Sequence, residues 1–306
     1  MSTPRLVAVT ALAPAVWGTT YAVTTEFLPP GRPLFTALVR ALPAGLLLVA
    51  VTRTLPGGGW WWRAAVLGTL NIGMFFPLLF LSAYRLPGGV AAVLGALQPL
   101  IVAALTRAAL RENVPVHRVL AGIAATAGVC LVVLRADAAL DAVGVAAGLL
   151  GAAGMAAGLV LTRMWGKPDG VSDLALTGWQ LTAGGLLIAP LTFVVEGMPS
   201  TLDGAAVGGY LWLGLVGTAV AYTLWFRGVA RLPALRVSLL GALSPLTAAL
   251  LGWLALGQAL SPLQLTGFAL ALTATVLGQL PAPPVLRPRT RPVRPDDRRP
   301  EISRRT

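Results

Sequence analysis

The chain has 306 residues, of which 56% are hydrophobic and only 11% charged, and its mean hydropathy is +0.79. A water-soluble fold of this length needs far more charge to cover its surface, so the composition excludes an ordinary soluble domain and indicates a membrane protein. The net charge of +12 follows from where the arginines fall between apolar stretches and calls for no nucleic-acid partner.

Ten stretches are apolar enough to cross a bilayer: Leu6–Thr25, Pro33–Thr52, Ala64–Tyr84, Leu86–Thr106, Val119–Leu134, Ala142–Thr162, Leu174–Val195, Gly204–Phe226, Leu232–Leu256 and Pro262–Leu280. Most hold about 20 residues, enough to span ~30 Å of hydrocarbon at ~1.5 Å per residue. Val119–Leu134 is the shortest. Alanine, glycine and leucine dominate, which predicts closely approaching helices and not the alternating strands of an outer-membrane barrel.

The first stretch is too long for the apolar part of a signal peptide and reads as a retained helix. It carries Trp17 and Tyr21 four residues apart on one face, and it ends near Glu26. The second holds Arg40, a lone charge well inside a span and a functional-site candidate on that ground. Two plainer readings stand beside that one. Arg40 snorkels to the outer end about two turns away, or it pairs with Glu26. The Gly57-Gly58-Gly59 run then reads as a turn ahead of a tryptophan cluster in a loop.

The third span contributes Asn71, Phe75 and Phe76, and the fourth Gln98 beside Pro99. Asn71 and Gln98 matter most, because an amide in hydrocarbon must find partners. His117 sits in a loop beside Arg118, and Cys130 is the one cysteine, so no intramolecular disulfide exists. The seventh span holds Trp179 and Gln180. In the eighth, Thr218, Tyr222 and Trp225 share a face, followed by Phe226. The ninth holds Ser244. Any single aromatic here can be packing alone, but a cavity lined by aromatics and a few amides suits small amphipathic solutes. No Asp, Glu or His falls in a span core, and no metal-binding, nucleotide-binding or nucleophile motif occurs. The expectation is therefore no enzyme activity, no cofactor and no metal. The Pro- and Arg-rich tail, residues 281–306, carries eight arginines and three acidic residues. Such a segment has little to bury and is expected to be disordered, with attraction to anionic lipids as a second reading.

With the amino terminus in the cytoplasm, 19 basic residues fall in cytoplasmic segments and only Arg32, Arg85 and Arg135 in external loops. That asymmetry satisfies the positive-inside rule and favours an even number of spans, with both termini cytoplasmic.

Residues 85–110 shifted by 146 positions fall on 231–256 with 13 identities, including Arg85-Leu86-Pro87 on Arg231-Leu232-Pro233 and Leu94-Gly95-Ala96-Leu97 on Leu240-Gly241-Ala242-Leu243. An odd number of spans per copy inverts the second copy in the membrane. This predicts two halves, 1–135 and 136–280, as in secondary transporters. The repeat also matches Pro99 with Pro245. Each removes the hydrogen bond to the carbonyl four residues back, on Gly95 and Gly241, giving either a packing kink or a pair of acceptors facing a central cavity.

Trp17-Gly18, Arg40, Gly88-Gly89-Val90-Ala91-Ala92, Gln98-Pro99-Leu100, Trp179-Gln180, Gly217-Thr218-Ala219, Ala221-Tyr222, Trp225-Phe226 and Ser244-Pro245-Leu246 follow in an order and spacing that resembles the EamA-type permeases of the drug/metabolite transporter superfamily. The resemblance covers nearly all of residues 6–280. The family's glutamate after the fourth span matches Glu112, but Gln258 stands at the equivalent place in the second half. That departure questions a symmetric carboxylate pair. The resemblance implies a basket-like all-α integral membrane protein of ten helices as two inverted five-helix repeats. It also implies a cavity walled by the first, third, fourth, sixth, eighth and ninth helices, and export of metabolites, amino acids or drugs across the inner membrane. Membrane lipids and a small-molecule substrate are the expected partners, to a monomer or homodimer. A lipid- or solute-moving facilitator and a non-transporting scaffold are the alternatives, to be separated by a lateral apolar groove or a densely packed interior.

Overall fold

Apolar runs of this kind satisfy their backbone internally, and the computed structural model, which describes residues 2–86, 93–133, 141–199, 201–255 and 260–281, contains only helices among its regular elements. They are α1 (Thr3–Phe27), α2 (Pro33–Thr52), α3 (60–85), α4 (Val93–Leu110), α5 (Val116–Val133), α6 (Ala142–Trp165), α7 (Asp173–Val195), α8 (Gly204–Arg231), α9 (Ala234–Ala255) and α10 (Pro262–Gly278). Among the described residues nine helices are long and apolar enough to cross a membrane, and α10 is a shorter apolar helix. Residues 87–92, Arg135, Gln258 and the segment 282–306 lie outside the described residues, as does the Tyr21 side chain.

Helix starts carry their own chemistry. Asp141, Ser172, Asp203 and Ser261 accept from the backbone of Gly144, Ala175, Ala206 and Gln264. Each replaces one backbone partner that the first turn of a helix lacks. α3 starts earlier than expected. Trp60 opens the helix directly after the glycine run, in which Gly58 takes φ +51°.

The helices pair in a pattern that survives exchange of each helix for the one five places on. α2 packs on α7, α5 on α10, and α4 on α9, each the counterpart of its partner. α1 contacts α8 and α9, while α6 contacts α3 and α4. Glycines let backbones meet along the closest of these seams. A Cβ on Gly128 of α5 would lie 2.5 Å from the Ala271 nitrogen, and one on Gly267 of α10 would lie 2.6 Å from the Gly128 oxygen. Gly45 of α2 sits on the Thr182 backbone, and a Cβ on Gly185 of α7 would meet the Leu42 nitrogen at 2.8 Å.

Irregularities also come in matched places. α3 carries a π-turn at Thr69–Gly73 and α8 a longer one at Trp212–Val220, which contains the positions 146 residues further on. α4 is interrupted at Leu97 and α9 at Gly241–Ala242, just before Pro99 and Pro245. Of the two readings of the proline positions, a kink or a free acceptor, the free acceptor does not form at Gly241. Its carbonyl accepts from the Ser244 amide at 3.1 Å, because the chain tightens locally to three-residue spacing instead of leaving a gap. In α4, the Ala96 carbonyl accepts from Thr126 Oγ1 at 2.7 Å.

Candidate functional site

The π-turn of α8 gathers the polar and aromatic groups of α1 and α2. A π-turn misaligns the usual ladder and so offers backbone oxygens to side chains. Trp17 Nε1 donates to the Gly217 oxygen at 3.0 Å. The Thr218 hydroxyl donates to the Leu213 oxygen at 2.7 Å and accepts from Arg40 Nε at 3.4 Å. One turn further along, Tyr222 and Trp225 face Trp17, with ring centroids 4.8 and 5.2 Å apart. Phe226 continues the cluster, 5.7 Å from Tyr222. Tyr222, Trp225 and Phe226 are buried, whereas Trp17 keeps a partly accessible face.

Arg40 takes neither of the plainer places considered for it. It is 4% exposed, so it does not snorkel. Glu26 is exposed at the end of α1, and among the described residues no carboxylate lies within ion-pair distance of Arg40. The guanidinium instead lies over the Phe76 ring at 5.2 Å, and Phe76 in turn sits 5.7 Å from Phe75. Nη2 would be 3.9 Å from a Cβ on Gly217, so the charge abuts the residue that receives Trp17.

Ser244 reaches this region through the backbone. A Cβ on Gly18, next to Trp17, would lie 2.6 Å from the Ser244 oxygen, so α1 meets α9 at its interruption. Gln98 is half-buried in α4, and its Nε2 has no partner among the described residues. Gly95 is exposed and Gly241 half-buried.

Asn71 makes a different contact. It lies on the α3 π-turn, is 1% exposed, and donates from Nδ2 to Gln180 Oε1 of α7 at 2.8 Å. Gly158 of α6 closes over its amide. This buried polar pair ties α3 to α7, and among the described residues Gln180 Nε2 has no acceptor of its own. Asn71→Leu is expected to destabilise the protein by about 1–2 kcal/mol, because Gln180 is left buried and alone. Asn71→Leu/Gln180→Leu should recover most of that loss, since replacing both partners removes the orphan. Thermal unfolding in detergent reads the difference, and additive losses in the double variant would count against the pairing.

Two concavities lie away from the aromatic cluster's core. One, about 320 Å³, is apolar and runs between α2 and α8, past Phe35, Val39, Pro43, Tyr210 and Gly214. The other, about 450 Å³, is on the rim, where Glu26 and Asp203 line it with Pro29 and Pro30. Sequence reasoning named Arg40, Thr218 and the aromatics but missed the Gly217 carbonyl and the role of Gln180. Position 217 is 146 beyond Asn71, so the repeat register held that signal.

A family model for the EamA-like transporter family matches the chain twice, over residues 5–134 and 142–278. Trp17 and Arg40 fall in the first match, and Thr218, Tyr222 and Trp225 in the second. The chain is 47% identical to protein PecM of Dickeya dadantii, over 87% of this chain and 90% of that one. It is 31% identical to a chloroplastic WAT1-related protein of Arabidopsis thaliana, over 87% of this chain and 67% of that one. It is 27% identical to the uncharacterized transporter YwfM of Bacillus subtilis, over 85% and 89%. A protein of known crystal structure shares the fold with a TM-score of 0.77 at 19% identity, covering 90% of this chain and 96% of that one. Two matches that together take in all ten helices leave one assignment: the chain is a multi-pass membrane protein that belongs to the EamA-like transporter family.

Proposed function

We propose that the protein is a secondary transporter that exports small metabolites, amino acids or amphipathic drugs across a bacterial inner membrane by alternating access. Its two halves, 1–135 and 136–280, enter the membrane from opposite sides, and both termini are cytoplasmic. The observation that carries this reading is the contact between the halves: Trp17 and Arg40 of one meet Thr218, Tyr222 and Trp225 of the other at a π-turn well inside α8. A site shared between halves changes shape when they move against each other, which alternating access requires.

One ion pair across the halves is compatible with the same motion. Arg85 and Arg231 are repeat equivalents at the ends of α3 and α8. Arg85 stands 3.6 Å from Asp141 of the other half, whereas Arg231 bonds Asp173 of its own half at 2.7 Å. The Arg85–Asp141 pair can hold or release the ends of α3 and α6 at little cost, because exposed pairs contribute only about 0–1 kcal/mol.

Compartment-sensitive reporters on each terminus test the topology, and a periplasmic signal from the carboxy terminus refutes it. Counterflow in proteoliposomes tests transport. Robust exchange with no imposed gradient, indifferent to a proton ionophore, is the expected result, because the span cores hold no Asp, Glu or His. Uphill accumulation driven by a pH gradient and kept in Glu26→Gln would contradict it. The apolar concavity between α2 and α8 favours a second reading, in which the protein moves lipids. Movement of fluorescent phospholipid between leaflets at a rate matching solute exchange would decide for that reading.

A further inference from the structure

The two π-turns allow a comparison inside one molecule. Each presses against the second helix of the opposite half, α3 on α7 and α8 on α2. At the first contact a neutral amide closes the gap, Asn71 to Gln180 at 2.8 Å. At the second the closing residue is Arg40, bonded to Thr218 at 3.4 Å. A neutral side chain is therefore sufficient to tie such a turn to its neighbouring helix. The charge on Arg40 goes beyond what the packing needs.

That charge is costly where it lies. Arg40 is 4% exposed, and among the described residues its one hydrogen bond is to Thr218 and no carboxylate is in reach. A guanidinium has five donors and suits the two oxygens of a carboxylate. The Phe76 face at 5.2 Å offsets part of the desolvation and supplies no acceptor. A buried cation persists when something of opposite charge completes it, at least part of the time. The guanidinium end adjoins Gly217, and Gly217 binds the partly accessible Trp17. A flat apolar body on the indole and an acid group on the guanidinium fit that arrangement together.

We propose that Arg40 is the anion-recognition residue of the transport site, and that the substrates are planar apolar molecules carrying one carboxylate. This rests on the transporter reading above, and the two fail in different experiments. Binding is measured by thermal shift and calorimetry on the purified full-length protein in detergent. The probes are two acid–amide pairs of matched shape, indole-3-acetate with indole-3-acetamide and benzoate with benzamide. The acids are expected to bind at least tenfold more tightly than their amides. Arg40→Gln, which copies the neutral contact of the other half, should erase that preference. Arg40→Lys should keep the charge but lose the two-point contact, reducing the preference about threefold or more.

Equal binding of acid and amide overturns the proposal, as does no binding by either acid. So does a preference that survives in Arg40→Gln or is unchanged in Arg40→Lys. If Arg40→Gln yields no folded protein, Arg40→Lys and the wild-type ratio carry the test alone. Counterflow of the same probes separates the two readings. Acids bound through Arg40 but not carried remove the transporter reading and leave the recognition site. Probes carried without regard to charge do the reverse.

Discussion

Gly184→Val in α7 is expected to abolish recovery of folded protein. A Cβ at that position would lie 2.5 Å from Ile72 Cβ and 2.7 Å from the Gly68 oxygen. Neither neighbour can yield. Ile72 is fully buried on the α3 π-turn, and the Gly68 oxygen is backbone just before it. Valine brings two more carbons into the same gap. Overpacking costs reach about 3 kcal/mol, roughly a hundredfold in folded fraction, and rigid backbone on the receiving side places this case at the upper end. Gly57→Val is the control, because among the described residues nothing lies within 4 Å of a Cβ there. Size-exclusion of detergent extracts should show a monodisperse peak for Gly57→Val and aggregate for Gly184→Val. A normal peak for Gly184→Val would mean α3 and α7 stand further apart than described.

Trp17→Ala has the second largest expected effect, and it falls on transport. The indole touches Tyr222 and Trp225 and donates to the Gly217 oxygen. Truncating a large aromatic at a packed contact costs about 3–5 kcal/mol of local interaction, and each aromatic pair contributes ~0.5–1.5 of that. Because the contact joins the two halves, its loss loosens the site itself. Counterflow should fall by at least an order of magnitude. Trp17→Phe keeps the ring and loses the donor, leaving the Gly217 oxygen without it, for about 1 kcal/mol or roughly a fivefold loss. Wild-type exchange by Trp17→Ala at wild-type protein levels would remove the cluster from the mechanism.

Much of the fold was legible because hydrocarbon imposes length and composition on each span. α2 begins and ends where expected, and α6 and α7 differ from their expected ends by at most a few residues. Ends set by local capping were less legible, and α8 runs on to Arg231 because nothing in Arg227-Gly228 stops a helix already packed on α1. The π-turns were not legible. Their cause is tertiary: Thr218 turns inward to Leu213 while Arg40 and Trp17 approach from other helices. The same holds for Asn71. Its sequence marks it as an amide needing a partner, but only the packing of α3 on α7 shows that Gln180 meets the need. Arg40 was named for its charge alone, and its placement over Phe76 depends on a neighbour that span reading cannot orient.

The glycine seams limit how such a bundle can work as a machine. α2 with α7 and α5 with α10 are joined backbone to backbone, and a slide along either would drive a side chain into a peptide unit. In the alternating access proposed above, these two seams would be the pivots. Each joins a helix to its own counterpart, so the halves can tilt about them as levers of equal arm. A tilt that opens a gap at one membrane face closes it at the other. The π-turns and interruptions lie in α3, α4, α8 and α9, outside the two seams, which is where such a tilt would need the helices to bend.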